Sequence, residues 1–250
     1  MLEELPTHVT NLLVIFARLG AVLMLLPAFS DTAVPGQIRL LIAFGFSIAM
    51  YGLLGPQLPV LGSGVDLGLI VISEMLIGLA LGMIIKIMFL AITVAGSIIS
   101  LQVGLTSAVV PDPTMGGQIP VMAKFVGIAA IVICFALNIH HLWIAAMVNS
   151  YNAFQVGALP PAQDFAELAV TTASRSMALG VSLAAPLIVY GIVFNVALGL
   201  SARLAPTIQV FFIAQPLNIL LGLSLTATII GAVLMTFGNE MAAWMQSGWT

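Results

Sequence analysis

Two adjacent histidines, His140 and His141, are the first residues in this chain whose type suggests chemistry. A metal or haem centre would use imidazoles, but neighbours on a helix diverge by about 100°, so the pair cannot easily share one ion. Further ligands would have to come from elsewhere, and Glu74 is the only other candidate inside an apolar run. The plainer reading is a pair of interfacial histidines bonded to backbone or water. A membrane enzyme built on His140 and His141 would instead carry bound metal. Glu74 suggests proton carriage, because an ionisable group within a membrane segment is expensive and usually functional. Arg18 and Lys86 also sit inside apolar stretches, and a rival reading is a proton-coupled small-molecule transporter using Glu74 and Arg18. Coupled transport usually needs several such groups. No G-x-S-x-G, H-E-x-x-H or phosphate-cradling motif occurs, so the expectation is a protein that is not an enzyme and needs no cofactor or metal.

The elements that must hold these residues are membrane helices. Of 250 residues 61% are hydrophobic and 6% charged, with a mean hydropathy of +1.20, far from the roughly one quarter charged in soluble domains. No soluble packing hides that much apolar surface. The net charge of −3, with no basic run, excludes nucleic acid and a polybasic lipid anchor. Cys134 is the only cysteine and reads as a small apolar core residue. Glu3 and Glu4 precede Arg18 with no earlier Lys or Arg, so no cleaved signal peptide is expected.

The apolar pattern predicts about six long, partly kinked helices arranged in hairpins. The first, capped by Thr7 or Thr10, runs to about Phe29, and the second from Arg39 to about Leu54. Asp66–Gly104 has no strong breaker; about 39 helical residues span roughly 58 Å, nearly twice a hydrocarbon core. It is either one long helix or two spans with a turn near Lys86. Glu74, Gly78, Gly82 and Lys86 recur every fourth residue on one stripe, which points slightly more to another chain than to internal packing. Val121 to about Val148 is expected as one helix, with Trp143 and Tyr151 at a membrane–water boundary. After a loop to Pro161, Asp164-x-x-Glu167 resembles a capping box opening a short amphipathic helix. Met177–Leu200 and about Ile208–Phe237 close the chain as a hairpin, with Trp244, Trp249 and Glu240 in an interfacial tail.

Between the third and fourth helices lies Leu105–Pro120, Leu-Thr-Ser-Ala-Val-Val-Pro-Asp-Pro-Thr-Met-Gly-Gly-Gln-Ile-Pro. Roughly sixteen residues is long for a structureless connection. Pro111, Pro113 and Pro120 deny it a helix, and Val109, Val110, Met115 and Ile119 make it too apolar for a solvated linker. It reads as an ordered, movable loop packed against protein, or equally as an ordinary surface turn between two membrane helices. Pro186, Pro206 and Pro216 free further backbone carbonyls, which suggests walls and a constriction rather than a catalytic centre.

Ala-Leu-Asn138-Ile-His140-His141, the Val-Pro35-Gly-Gln-Ile-Arg39 turn and Leu-Gly199-Leu-Ser-Ala-Arg203-Leu-Ala-Pro206-Thr-Ile-Gln209-Val-Phe211-Phe-Ile-Ala-Gln215-Pro216 together resemble the FliR family. These are membrane proteins of the bacterial type III export apparatus, similar to the SctT proteins of virulence injectisomes. Ile139 stands where the family often has Gly. The resemblance covers nearly the whole chain, and the short polar tail argues against a fused FliR–FlhB arrangement. It implies one export-gate membrane domain over residues 1–250, with a FliP-like portion at 1–176 and a FliQ-like hairpin and tail at 177–250. It implies FliP and FliQ homologues as partners, FlhB and FlhA homologues nearby, and unfolded exported flagellar proteins as passengers. The implied location is the inner membrane within the flagellar basal body, with the gate raised toward the periplasm. The segment matching Thr106–Pro120 would be the plug. Val109, Val110 and Met115 would seal the lumen and Gly116-Gly117 would hinge it, flanked by Thr106, Pro111, Asp112, Pro113 and Pro120. The loop is expected to move at modest cost because no regular hydrogen-bond ladder need break. Glu74, Gly78, Gly82, Lys86, Arg203, Pro206, Gln209 and Pro216 are expected at subunit contacts.

Overall fold

The computed structural model describes residues 5–30, 34–55, 58, 67–112, 117–204 and 209–247. Among these the chain forms seven helices and one small antiparallel sheet: α1 (Leu5–Leu25), α2 (Gly36–Leu54), α3 (Leu67–Val103), β1 (Val109–Asp112), β2 (Gly117–Pro120), α4 (Val121–Ala136), α5 (Ile139–Ala153), α6 (Ala162–Leu204) and α7 (Val210–Gln246). Five helices are long and apolar enough to cross a membrane, and a sixth span results if α4 and α5 are counted as one broken crossing.

Several boundaries differ from expectation for identifiable reasons. Thr7 and Thr10 lie within α1 and do not cap it; the helix ends at Leu25, two residues before Pro27. α3 is one uninterrupted helix of 37 residues, with no turn at Lys86. The expected helix from Val121 is broken, because Asn138 takes the left-handed conformation at φ 58°. The amphipathic stretch at Asp164 and the following apolar segment are one helix, α6, of 43 residues that continues through Pro186. Asp164 sits in its first turn, where a carboxylate suits the helix dipole, and does not cap it. α7 likewise continues beyond Phe237 to Gln246. Trp143 is fully buried, so it is a core residue and not a lipid-facing belt residue.

The chain divides into two compact units that do not follow sequence order. The first comprises residues 1–88 and 141–173, the second residues 89–140 and 174–250. In the first, α1 packs on α2 and on the leading part of α3, around Ile15, Leu19, Val22, Ile77 and Ile84. In the second, the trailing part of α3, α4, α6 and α7 enclose Ile92, Ile99, Val126, Ala130, Cys134 and Phe237. Phe89 meets Phe237 edge-on at 5.2 Å between ring centres.

Much apolar surface is left outside these cores. Only 17% of the apolar window of α2, 28% of that of α6 and 22% of that of α7 is buried within the chain. Val189, Ile192, Val196, Phe212, Ile213 and Leu220 are all exposed. Surface of that extent requires lipid or further protein against it.

Candidate gating loop and a buried ion pair

The loop begins where α3 ends. Gly104 has φ 84°, a conformation that favours glycine, and turns the chain out of the helix. Leu105 N–H donates to the Ser100 carbonyl at 2.9 Å, and the Ser100 hydroxyl donates back to the Leu105 carbonyl at 3.0 Å. The last turn of a helix leaves carbonyls without partners, and here a side chain from α7 supplies one. Asn218 Nδ2 donates to the Gln102 carbonyl at 3.2 Å, while the Tyr190 hydroxyl from α6 donates to Asn218 Oδ1 at 2.8 Å. Three helices thus hold the residues from which the loop departs.

The loop itself is a β-hairpin. Val109 pairs with Pro120, Val110 with Ile119, Pro111 with Gln118 and Asp112 with Gly117. Val121 N–H donates to the Ala108 carbonyl at 2.9 Å, which sets the phase of the ladder. By alternation, Val110–Ile119 and Asp112–Gly117 are the hydrogen-bonded pairs, and Val109–Pro120 and Pro111–Gln118 are not. Both prolines therefore stand where no inter-strand N–H is needed. That corrects the expectation of a loop without a regular ladder. Proline density argued against a helix but could not show that these prolines match the open positions of a sheet.

The hairpin lies on α4, and burial alternates along β1. Val110 and Ile119 are half-buried and Asp112 is buried, whereas Val109, Pro111, Gly117 and Gln118 are exposed. Thr106 is exposed and Pro120 half-buried. Lys124, one turn into α4, places Nζ 3.7 Å from Asp112 Oδ2. Gly117 is a ladder residue opposite Asp112, and Gly104 at the start of the loop has a positive φ. Pro113, Met115 and Gly116 fall outside the described residues. The partner of Asp112 escaped sequence reading, although a lone carboxylate in an apolar loop with a lysine four residues past its end was a usable signal.

In the other unit, Arg18 and Glu74 form a fully buried ion pair, both at 0% exposure. Arg18 Nε donates to Glu74 Oε2 at 2.6 Å and Nη2 to Oε1 at 3.0 Å, the side-on fork that suits guanidinium and carboxylate. Nη1 donates to the Ser150 carbonyl at 3.0 Å and Nη2 to the Phe154 carbonyl at 3.1 Å. The Tyr151 ring centre lies 4.1 Å from Cζ. Glu74 Oε1 also accepts from Gly157 N–H at 3.1 Å. A pair so surrounded ties α1, α3 and the end of α5 together and leaves Arg18 no unsatisfied donor face.

This placement corrects the assignment of Glu74, Gly78 and Gly82 to contacts with another subunit. A Cβ on Gly78 would strike the Arg18 carbonyl, and one on Gly82 would come within 2.8 Å of Leu25 Cβ. The glycines therefore serve the close approach of α1 and α3 within this chain. Lys86 is half-buried, and Arg203, Gln209 and Pro216 are exposed. Pro206 is outside the described residues. His140 stacks on Phe135 at 4.9 Å, while His141 is exposed. Among the described residues no three His, Cys, Asp or Glu side chains converge as a metal site.

Comparison with known proteins agrees with this architecture. Residues 9–244 match the family of bacterial export proteins, family 1. The chain is 40% identical over 230 residues to the flagellar biosynthetic protein FliR of Caulobacter vibrioides, covering 90% of each chain. It is 34% identical to that of Escherichia coli, over 85% of this chain and 81% of the relative. The Bacillus subtilis protein is 30% identical over 83% of this chain and 81% of its own length. The chain belongs to the FliR family. FliR membership places it among membrane components of bacterial export and outside the enzyme classes. It also gives the uncovered faces of α2, α6 and α7 a setting, since a FliR-type chain works in a membrane.

Proposed function

We propose that this chain is a structural subunit of the flagellar type III export gate in the bacterial inner membrane. It would form, with FliP and FliQ homologues, the channel through which unfolded flagellar proteins pass, with FlhB and FlhA homologues adjoining. Residues 105–120 close that channel at rest. The observation that carries this reading is the loop's construction. A hairpin with an exposed outer edge at Val109, Pro111 and Gln118 is fixed at its foot by α3, α6 and α7 and lies on α4. An ordinary surface turn needs no such fixing. The unburied apolar faces of α2 and of the α6–α7 pair support neighbours of FliP and FliQ type, and exposed Arg203, Gln209 and Pro216 are assigned to those contacts.

The transporter reading draws no support from Arg18 and Glu74, because each is already saturated by protein and neither reaches an open cavity. Deleting Val110–Gly117 should raise ion conductance through the assembled complex in vesicles; conductance equal to that of the intact complex would refute the plug. Pull-down in mild detergent should recover FliP and FliQ homologues, and a chain isolated alone or as a small homo-oligomer would refute the assembly.

A further inference from the structure

We propose that the hairpin moves as one folded flap about its foot, and that the Asp112–Lys124 ion pair is the catch it must release. The inference rests on the plug reading above and adds how the plug opens. Three observations carry it. The strands are joined by a ladder whose hydrogen-bonded pairs are Val110–Ile119 and Asp112–Gly117, so unravelling them would cost these residues their backbone partners where Val110, Asp112 and Ile119 are at least half-buried. The two strands converge on one point, the Val121 to Ala108 bond, which gives the flap an axis across both feet. Beyond that axis, Asp112 is buried at 5% exposure against Lys124, whose side chain is 28% exposed.

The energetic order follows from chemistry. Backbone groups pulled out of a ladder away from water lose their partners outright. An ion pair whose lysine is partly solvated loses less, since Lys124 can regain water when the flap lifts. The catch therefore yields before the ladder. Val110 and Ile119, half-buried on the same inner face, lift with Asp112 and expose little apolar area. Meanwhile the Asn218–Gln102 bond on the other side of the foot stays in place.

The test uses the complete export complex, reconstituted in vesicles for conductance and in cells for export. Asp112→Asn and Lys124→Gln should each raise the resting leak about five-fold, as expected for losing one half-buried ion pair. Exchanging the two charges, with Asp112→Lys and Lys124→Asp together, should bring the leak back toward that of the parent. A staple tests the flap independently of the catch. Pro111 and Gln118 face each other at a non-hydrogen-bonded position, where Cα atoms lie about 4.5 Å apart, close enough for a disulfide. With Pro111→Cys and Gln118→Cys, export should continue when the bridge is oxidised. Export that stops on oxidation and returns with reductant would overturn movement as one piece. An unchanged leak in Asp112→Asn, while deletion of Val110–Gly117 does raise conductance, would overturn the catch and leave the plug standing. If the deletion itself changes nothing, the plug falls and the flap falls with it.

Discussion

The Arg18 guanidinium meets the Glu74 carboxylate side-on, with Nε 2.6 Å from Oε2 and Nη2 3.0 Å from Oε1, although 56 residues separate them. Both are closed off from solvent. Removing one partner of such a pair strands a buried charge, at a cost of about 3–5 kcal/mol. Glu74→Ala should therefore abolish or sharply reduce recovery of folded chain. Glu74→Gln should do nearly as much, since it keeps the shape and discards the charge. Thermal unfolding of the detergent-solubilised complex measures this, and a Tm within one or two degrees of the parent would refute the structural role. Replacing both residues with apolar ones should cost less than the summed singles, yet more than nothing, because the Ser150 and Phe154 carbonyls lose their donor.

The α1–α3 seam predicts a graded response at its glycines. Gly78→Ala puts a methyl group against the Arg18 carbonyl, and backbone cannot step aside, so a loss of about 1–3 kcal/mol is expected. Gly82→Ala meets Leu25 Cβ at 2.8 Å and the Val22 carbonyl oxygen at 3.1 Å, a smaller overlap that should cost less. Gly45→Ala in α2 has nothing within 4 Å and should be neutral or slightly stabilising. The rank order of unfolding temperatures, Gly45→Ala above Gly82→Ala above Gly78→Ala, is the readout. Equal values would mean α1 and α3 do not approach as described.

The foot of the loop offers a separate handle. Asn218→Ala removes the cap on the Gln102 carbonyl, and Tyr190→Phe removes the hydroxyl that orients Asn218. A lost hydrogen bond at such a half-buried site costs about 0.5–1.5 kcal/mol. Asn218→Ala should raise the resting conductance more than Tyr190→Phe, with the partner proteins still co-purifying. Gly104→Ala should resemble Asn218→Ala, because φ 84° strains any Cβ there and Gln215 Nε2 lies 3.0 Å from its position.

Ladder phase makes proline position decisive. Pro111→Ala surrenders no inter-strand bond and should leave conductance and stability within about 1 kcal/mol of the parent. Val110→Pro removes an N–H from a hydrogen-bonded pair and should disorder the hairpin. Protease sensitivity of the loop in the purified complex distinguishes them. Similar digestion of both variants would show that the phase is wrong.

Composition and apolar run length were enough to read a membrane protein, the span of α3 to within a residue at each end, and the site of the loop between α3 and α4. These depend on local hydropathy and breakers. What stayed unread depends on contacts far apart in the chain. Glu74 looked like a residue needing a foreign partner because nothing near it in sequence could neutralise it. Its partner arrives from α1, with Ser150, Phe154 and Gly157 completing the shell. Pro186 suggested a freed backbone carbonyl, and it is exposed on α6, which runs through it without a break. The hairpin was unread because its prolines argue only against a helix until the register shows them at vacant ladder positions. The FliR resemblance, by contrast, rested on short motifs and needed no tertiary information.

Ribosomes deliver this chain from one end, and Asn218 emerges 116 residues after the carbonyl it caps. Until that asparagine arrives, the departure point of the hairpin lacks its final fastening. A nascent copy that ends before Asn218 therefore lacks this bond at the hairpin's foot.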